Sequence, residues 1–302
     1  MNNPAPILLF TYKRLEPLII TIEALKKNNL ASESDLFIFS DGPKKKEDES
    51  SIDEIRMFLK TIDGFKRIEI IESPYNQGLA NSIIGGVTKV MKRYNKVIVL
   101  EDDLKTSTNF LDFMNKSLDY YENNKKIMSI SGYTPPIVTP EGYTYDNYFT
   151  QRASSWGWAT YKSQWEKVDW SVSGYNDFKK NFKAKRKFNK MGSDMAFMLS
   201  KQMNKAIDSW AIRWCYHQFK NDLYTVFPIS SKIDNIGFAE GATHTKGNSE
   251  ILRFASPIDN SKYSEFNFKD VIVLDSSFIK QFVVPYSMKT RIKYKLKGIF
   301  GL

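Results

Sequence analysis

Cysteine and histidine are nearly absent from this chain, with one cysteine, Cys215, and two histidines, His217 and His244, in 302 residues. A lone cysteine closes no internal disulfide, which excludes a small stapled fold and makes a reducing cytoplasm the expected compartment. So few imidazoles and thiols also argue against a zinc site of the usual ligand types. Long apolar runs are missing too, and the first residues lack the basic-then-apolar order of a secretory leader, so neither a membrane span nor a signal peptide is expected. No internal repeat or low-complexity tract occurs. With 42% hydrophobic residues, the chain can fill the core of one large domain, or of a domain with an appendage.

Acids are the minority charge, 34 against 44 lysines and arginines, for a formal +10. That balance suits nucleic acid, an anionic membrane, phosphorylated substrates or plain solubility, so its distribution has to decide. Basic residues concentrate in "KKNFKAKRKFNK", Lys179 to Lys190, and in "MKTRIKYKLKGIFGL", Met288 to Leu302. In the second, Ile292, Leu296 and Ile299 fall at i, i+4 and i+7 while Lys289, Lys293 and Lys297 repeat every four residues. The pattern is a basic amphipathic helix, suited either to an anionic membrane surface or to packing on the body with its charges solvated. No recognised nucleic-acid motif accompanies the charge, and no nucleic-acid partner is expected.

The first half alternates between short apolar runs and helical periodicity. "APILLFTY", "DLFIFSDG", "RIEIIESP" and "KVIVLEDD" read as strands, and "LEPLIITIEALKKNN", "SSIDEIRMFLKTIDG" and "GLANSIIGGVTKVMKRY" as the helices between them. Such alternation predicts an α/β fold with a mostly parallel central sheet flanked by helices. From Ile127 onward the pattern is less regular, with Trp, Tyr and Phe spread through "YFTQRASSWGWATYKSQWEKVDW". The charged "PKKKEDESS" loop, Pro43 to Ser51, and the basic segment from Lys179 are the expected soft spots.

In open parallel sheets ligands bind beyond the carboxyl ends of the strands, so the polar residues there carry the functional signal. After the first strand come Thr11, Tyr12, Lys13 and Arg14; after the second, Ser40, Asp41 and Gly42; after the fourth, the triplet Glu101, Asp102 and Asp103. Three carboxylates behind a buried strand call for a positive partner. A hard cation such as Mg²⁺ or Mn²⁺, sharing one or two carboxylates with phosphate oxygens, suits that position, and Lys13 and Arg14 could face the same phosphates.

These residues resemble the inverting glycosyltransferases of the nucleotide-diphospho-sugar transferase (GT-A) fold. The likeness is greatest to bacterial family 2 sugar transferases and more distant to N-acetylglucosaminyltransferase I. It runs from about Pro6 to Thr245 and rests on "KVIVLEDDLKTSTNFLDFMNKSLDYY", followed in order by "SSWGWATY", "IDSWAIRW" and "PISSKIDNIGFAEGATHT". It implies a GT-A catalytic domain over 1–250, with a nucleotide-sugar-binding half (1–126) and an acceptor and catalytic-base half (127–250). A C-terminal helical extension, 251–302, would carry the basic amphipathic helix.

Carried over to this sequence, the resemblance makes Asp103 the direct ligand of Mn²⁺ or Mg²⁺. Asp102 would meet the ribose or a metal-bound water, Glu101 the transferred sugar, Asp41 the uracil or ribose, and Thr11 and Arg14 the nucleotide and phosphates. Without the resemblance, Asp41 reads as a strand-ending Asp-Gly turn. Asn76, with Gly78 and Asn81, would shape the donor-pocket floor, or else form a turn and helix cap. Trp156 and Trp158 could stack on a sugar or pack in the core, and His244 could touch the diphosphate or lie exposed in its loop.

For the base, the resemblance points to Asp208, two residues before Trp210 at the start of a helix. A helix-start aspartate can equally be only a cap. One base without a carboxylate nucleophile implies direct displacement with inversion. The expected donor is a UDP-sugar and the acceptor a glycan or lipid-linked saccharide in bacterial surface-polysaccharide synthesis. The protein would be cytoplasmic, with the basic helix able to seat it on the inner membrane face. A sugar nucleotidyltransferase is the alternative enzyme, though "FTYKRLEP" lacks the glycine-rich phosphate loop it would need. A non-catalytic sugar-binding protein is the alternative without chemistry.

Overall fold

The computed structural model describes residues 3–237 and 249–300. Its first part alternates as the periodicity requires: β1 (Ile7–Thr11), α1 (Leu15–Lys26), β2 (Asp35–Ser40), α2 (Glu49–Leu59), β3 (Arg67–Glu72), α3 (Leu79–Met91) and β4 (Lys96–Glu101). Then come β5 (Leu104–Thr106), α4 (Phe110–Tyr120), β6 (Ile127–Ser131), β7 (Asn147–Thr150), β8 (Trp158–Tyr161) and α5 (Lys162–Trp165). A helical stretch follows, α6 (Tyr175–Lys180), α7 (Phe182–Phe188), α8 (Met195–Met203) and α9 (Trp210–Lys220), and then β9 (Tyr224–Pro228) and β10 (Ile233–Asn235). Past a short helical turn at Ser249–Phe254 lie α10 (Ser276–Phe282) and α11 (Met288–Phe300).

Eight strands form one sheet in the order β3-β2-β1-β4-β8-β6-β9-β7. β3, β2, β1 and β4 are mutually parallel. β8 runs antiparallel to both β4 and β6, β9 parallel to β6, and β7 antiparallel to β9. Six strands therefore share one direction, and the two exceptions, β8 and β7, both come from the part of the chain whose periodicity is irregular. β5 and β10 pair apart from the main sheet, as a two-stranded ribbon directly behind the acid triplet.

The central strands are continuous apolar runs because both of their faces are covered. Along β1, Ile7 and Leu9 enter a core shared with α1, α2 and α4, while Leu8 and Phe10 enter a second core shared with α3 and α9. That two-residue alternation sets β1 in the middle of three layers. The segment after Ser249 lies along this body. Phe268 is buried in the first core, and Phe278 stacks on Tyr148 with ring centroids 4.6 Å apart.

Candidate active site

The parallel strands end at one edge, and there the turn from β1 into α1 meets the turn after β4. The Thr11 hydroxyl (3.1 Å) and the Tyr12 backbone N–H (3.2 Å) both donate to Asp102 Oδ2. The Thr21 hydroxyl, nearly two turns into α1, donates to the Asp102 carbonyl. Arg14 Nη2 reaches Asp102 Oδ1 at 2.6 Å and Asp103 Oδ2 at 2.7 Å. This is the positive partner the triplet called for. Burial opposes the Arg14 charge, but the Asp102 and Asp103 carboxylates outweigh it and raise its pKa. Burial likewise raises the pKa of Asp102, against the pull of Arg14.

Glu101 is left over. Among the described residues its side chain makes no hydrogen bond, and burial, with Asp103 and Asp102 adding their repulsion, pushes its pKa up to about 8. Three carboxylates thus face one guanidinium.

Thr11, Arg14, Asp41, Asn76, Glu101 and Asp102 line a single cleft of about 500 Å³, together with Phe10, Tyr12, Lys13, Phe39, Lys44, Lys45, Asp48 and Gly78. Phe10 and Phe39 stack at 4.8 Å and form an apolar wall. Asp48 belongs to the loop expected to be soft, yet it is buried. The Tyr12 hydroxyl donates to its Oδ2 at 2.7 Å and the Lys13 ammonium to its Oδ1 at 2.8 Å. The Lys13 and Tyr12 hydrogen bonds hold the Asp48 carboxyl down near 2, while burial and the bond to Asp48 push the Tyr12 phenol up to about 12. Asp48, Lys44 and Lys45 were expected only as part of a soft charged loop, and Tyr12 only as one of the polar residues after the first strand. The available signal was a single acid inside a lysine run following the second strand.

Asp41 serves the backbone. Its Oδ1 accepts from the N–H groups of Gly42 (2.9 Å) and Gln77 (2.8 Å), and its Oδ2 from Gly78 N–H (3.2 Å) and Asn76 Nδ2 (3.0 Å). With both oxygens so engaged, Asp41 clamps the 76–78 turn to the end of β2, closer to the turn reading than to direct contact with a base or ribose. Gly78 precedes α3 at φ +76°, a conformation glycine adopts without strain. Asn81 caps back on the Gln77 carbonyl.

Asp208 stands on the loop before α9, exposed, with its Oδ2 3.3 Å from where a Cβ on Gly78 would sit. It therefore overhangs the rim of the cleft. Its neighbour Ser209, rather than Asp208, caps α9 by accepting from Ile212 N–H. The start of α9 is fixed from below by Trp210 and Trp214, which join Trp158, Trp165 and Trp170 in one cluster. Trp158 is buried in that cluster, so of the two alternatives, stacking on a sugar or packing in the core, its ring takes the second.

Trp156 is half-buried and outside the 500 Å³ cleft. It lines a cavity of about 230 Å³ with Tyr133, Arg152, Ser209 and Phe254, next to Asp208 in sequence. A second cavity on the Tyr133, Trp156 and Phe254 side reaches Asp234, Asn235 and Ile236. Ile236 N–H donates to the Asp103 carbonyl, and Gly237 lies so close over Asp103 that a Cβ there would meet the carboxylate. His244 lies outside the described residues.

The donor set suits a hard divalent cation. Asp103 Oδ1 meets no donor among the described residues, Oδ2 being taken by Arg14, and the neighbouring Glu101 carboxyl, whose pKa Asp103 helps to raise, would ionise more readily beside a cation. Among the described residues no three His, Cys, Asp or Glu side chains converge as a metal cage. A cation bound through Asp103 would thus need diphosphate oxygens and water to complete its shell, as Mg²⁺ sites commonly do.

No protein-family model matches the chain, and no curated protein matches it either. Among solved structures, the mannosyltransferase PcManGT from Pyrobaculum calidifontis, in complex with GDP-Man and Mn²⁺, shares 9% identity at a TM-score of 0.39, over 56% of this chain and 48% of its own. S. aureus TarS shares 10% identity at a TM-score of 0.40, over 55% of this chain and 30% of its own. The chain thus spans less than half the length of either structure.

Proposed function

We propose that this chain is a metal-dependent inverting glycosyltransferase that takes a sugar from a nucleotide-diphospho-sugar, with UDP-sugars the first class to test. What carries the reading is one arrangement: a 500 Å³ cleft at the carboxyl ends of β1 and β4, lined by Asp102, which Arg14 bridges to Asp103, with the exposed Asp208 beside its Gly78 rim. The stacked Phe10 and Phe39 offer an apolar wall for a base, and Lys44 and Lys45 bring positive charge to the mouth. Asp103 would hold the cation, which when bound would supply charge stabilisation for a departing diphosphate.

Asp208 accepts the proton of an acceptor hydroxyl as that oxygen bonds to the anomeric carbon. The bond from that carbon to the diphosphate oxygen breaks on the opposite face, and its electron pair leaves with the diphosphate. The acceptor, a glycan or lipid-linked saccharide of bacterial surface polysaccharide, enters past Trp156 and Tyr133, whose cavity adjoins Ser209.

Calorimetric titration with UDP, GDP and their common sugar conjugates, with Mn²⁺ and with the metal chelated, tests the donor side. Metal-dependent binding of one nucleotide family, lost in Asp103→Ala, is the expected outcome. Failure of every nucleotide to bind would leave a sugar-binding protein as the better account.

A further inference from the structure

The net charge of +10 has a local origin. The segment Lys179–Lys190 carries seven lysines and arginines and no acid, and α11 carries five and no acid. With these twelve set aside, the remaining 32 basic residues face 34 acids, a formal −2. Tertiary structure ties the chain that follows the first segment to the chain that precedes the second. The chain leaving α7 passes through Gly192 and Ser193, and the Ser193 hydroxyl donates to the Tyr286 carbonyl at 2.9 Å. Arg152 forms a two-pronged pair with Asp194, at 2.8 and 2.9 Å, and lies 3.6 Å over the Tyr286 ring. α11 begins two residues beyond that anchor.

α11 turns an unusual face outward. A helix lying on a soluble body normally buries its apolar stripe. Here Met288, Ile292 and Leu296 are 63%, 53% and 47% exposed, and Val284 precedes them by one turn at 53%. Lys289, Lys293 and Lys295 are exposed beside them, while Thr290, Arg291, Tyr294 and Lys297 are half-buried. On α7, Phe182 is likewise exposed among lysines. Among the described residues no helix is long and apolar enough to cross a membrane.

We propose that this face of α11 seats the protein on an anionic lipid surface. Its apolar stripe would enter the headgroup boundary while the lysines meet lipid phosphates. Nucleic acid would satisfy the charge but leave Met288, Ile292 and Leu296 without a partner. The proposal does not depend on sugar transfer, because it concerns a surface remote in sequence from the acids of the cleft.

The test is co-sedimentation of the full 302-residue chain with phosphatidylcholine vesicles, with and without roughly 30 mol % phosphatidylglycerol. The protein should pellet with the anionic vesicles alone and be released by high salt. Ile292→Asp with Leu296→Asp should weaken partitioning by about tenfold or more with the melting temperature unchanged, since neither side chain is buried. Lys289→Glu with Lys293→Glu provides a second variant that leaves every apolar contact in place, and it should weaken partitioning as well. Absence of pelleting on anionic vesicles overturns the proposal, as does pelleting that both variants leave unchanged. Tight binding to duplex DNA without vesicle binding would assign the surface to nucleic acid instead.

Discussion

The acids on the two sides of the cleft are kept in opposite conditions. Asp102 and Asp103 are buried, bridged by one guanidinium, and Asp102 has both oxygens engaged by Arg14, Thr11 and the Tyr12 backbone. Asp208 is exposed on a loop and placed only indirectly, by the Ser209 cap and the tryptophans under α9. The first arrangement fixes its carboxylates in place, with the Asp102 oxygens already occupied by donors. The second leaves a carboxylate free to accept a proton. A direct-displacement enzyme needs both conditions, one for the leaving diphosphate and one for the attacking hydroxyl.

The contrast breaks most sharply at Asp208. Asp208→Asn should lower kcat by roughly 10²- to 10⁴-fold while nucleotide affinity, read by calorimetry, stays near the wild-type value. Equal loss of turnover and nucleotide binding would show that Asp208 serves the donor site and not the acceptor. Next comes the tryptophan support. Trp214→Ala should destabilise the fold by about 3–5 kcal/mol in denaturant unfolding, because it empties the centre of a buried aromatic cluster. A loss below about 1 kcal/mol would mean that α9 is positioned some other way.

The charged side gives a smaller effect. Arg14→Gln should cost roughly 1–2 kcal/mol, below the usual value for a broken buried pair because the guanidinium is one-third open to solvent. Adding Asp102→Asn to that variant should recover part of the loss, and a double-mutant cycle measures the coupling. Smallest is a pH effect far from the acids. Burial lowers the His217 pKa against the pull of Asp169, with Lys220 and Lys167 also lowering it. The unfolded chain therefore binds a proton that the folded one refuses, and stability falls as pH drops below about 6.5. His217→Gln should flatten that slope in urea titrations across the same window.

How much of this could be read beforehand varies residue by residue. β1 to β4 and their helices were legible because strands covered on both faces must be unbroken apolar runs. The same pattern placed Thr11, Arg14 and the triplet at one edge. Asp41 was a harder case: an Asp-Gly at a strand end carries no mark that its carboxylate will bind N–H groups 36 and 37 residues further on. Asp48 was hidden by its lysine-rich surroundings, although a carboxylate held by Tyr12 and Lys13 is one of the fixed points of the cleft. Trp158 shares its "SSWGW" setting with Trp156, and only the folded chain separates them, Trp158 opening β8 with its ring buried while Trp156 lies before the turn at Gly157, φ +60°.

By itself, then, the order of residues determined the alternating α/β frame, the edge at which polar groups collect, and the presence of unbalanced charge there. Those properties follow from local periodicity and from chain direction, which neighbouring residues settle between themselves. Which oxygen remains free, which tryptophan is buried, and which face of α11 looks outward were decided only in the folded molecule. Each depends on partners brought from tens to hundreds of residues away, and a short-range pattern holds no record of which hydrogen-bond donor or packing surface will arrive.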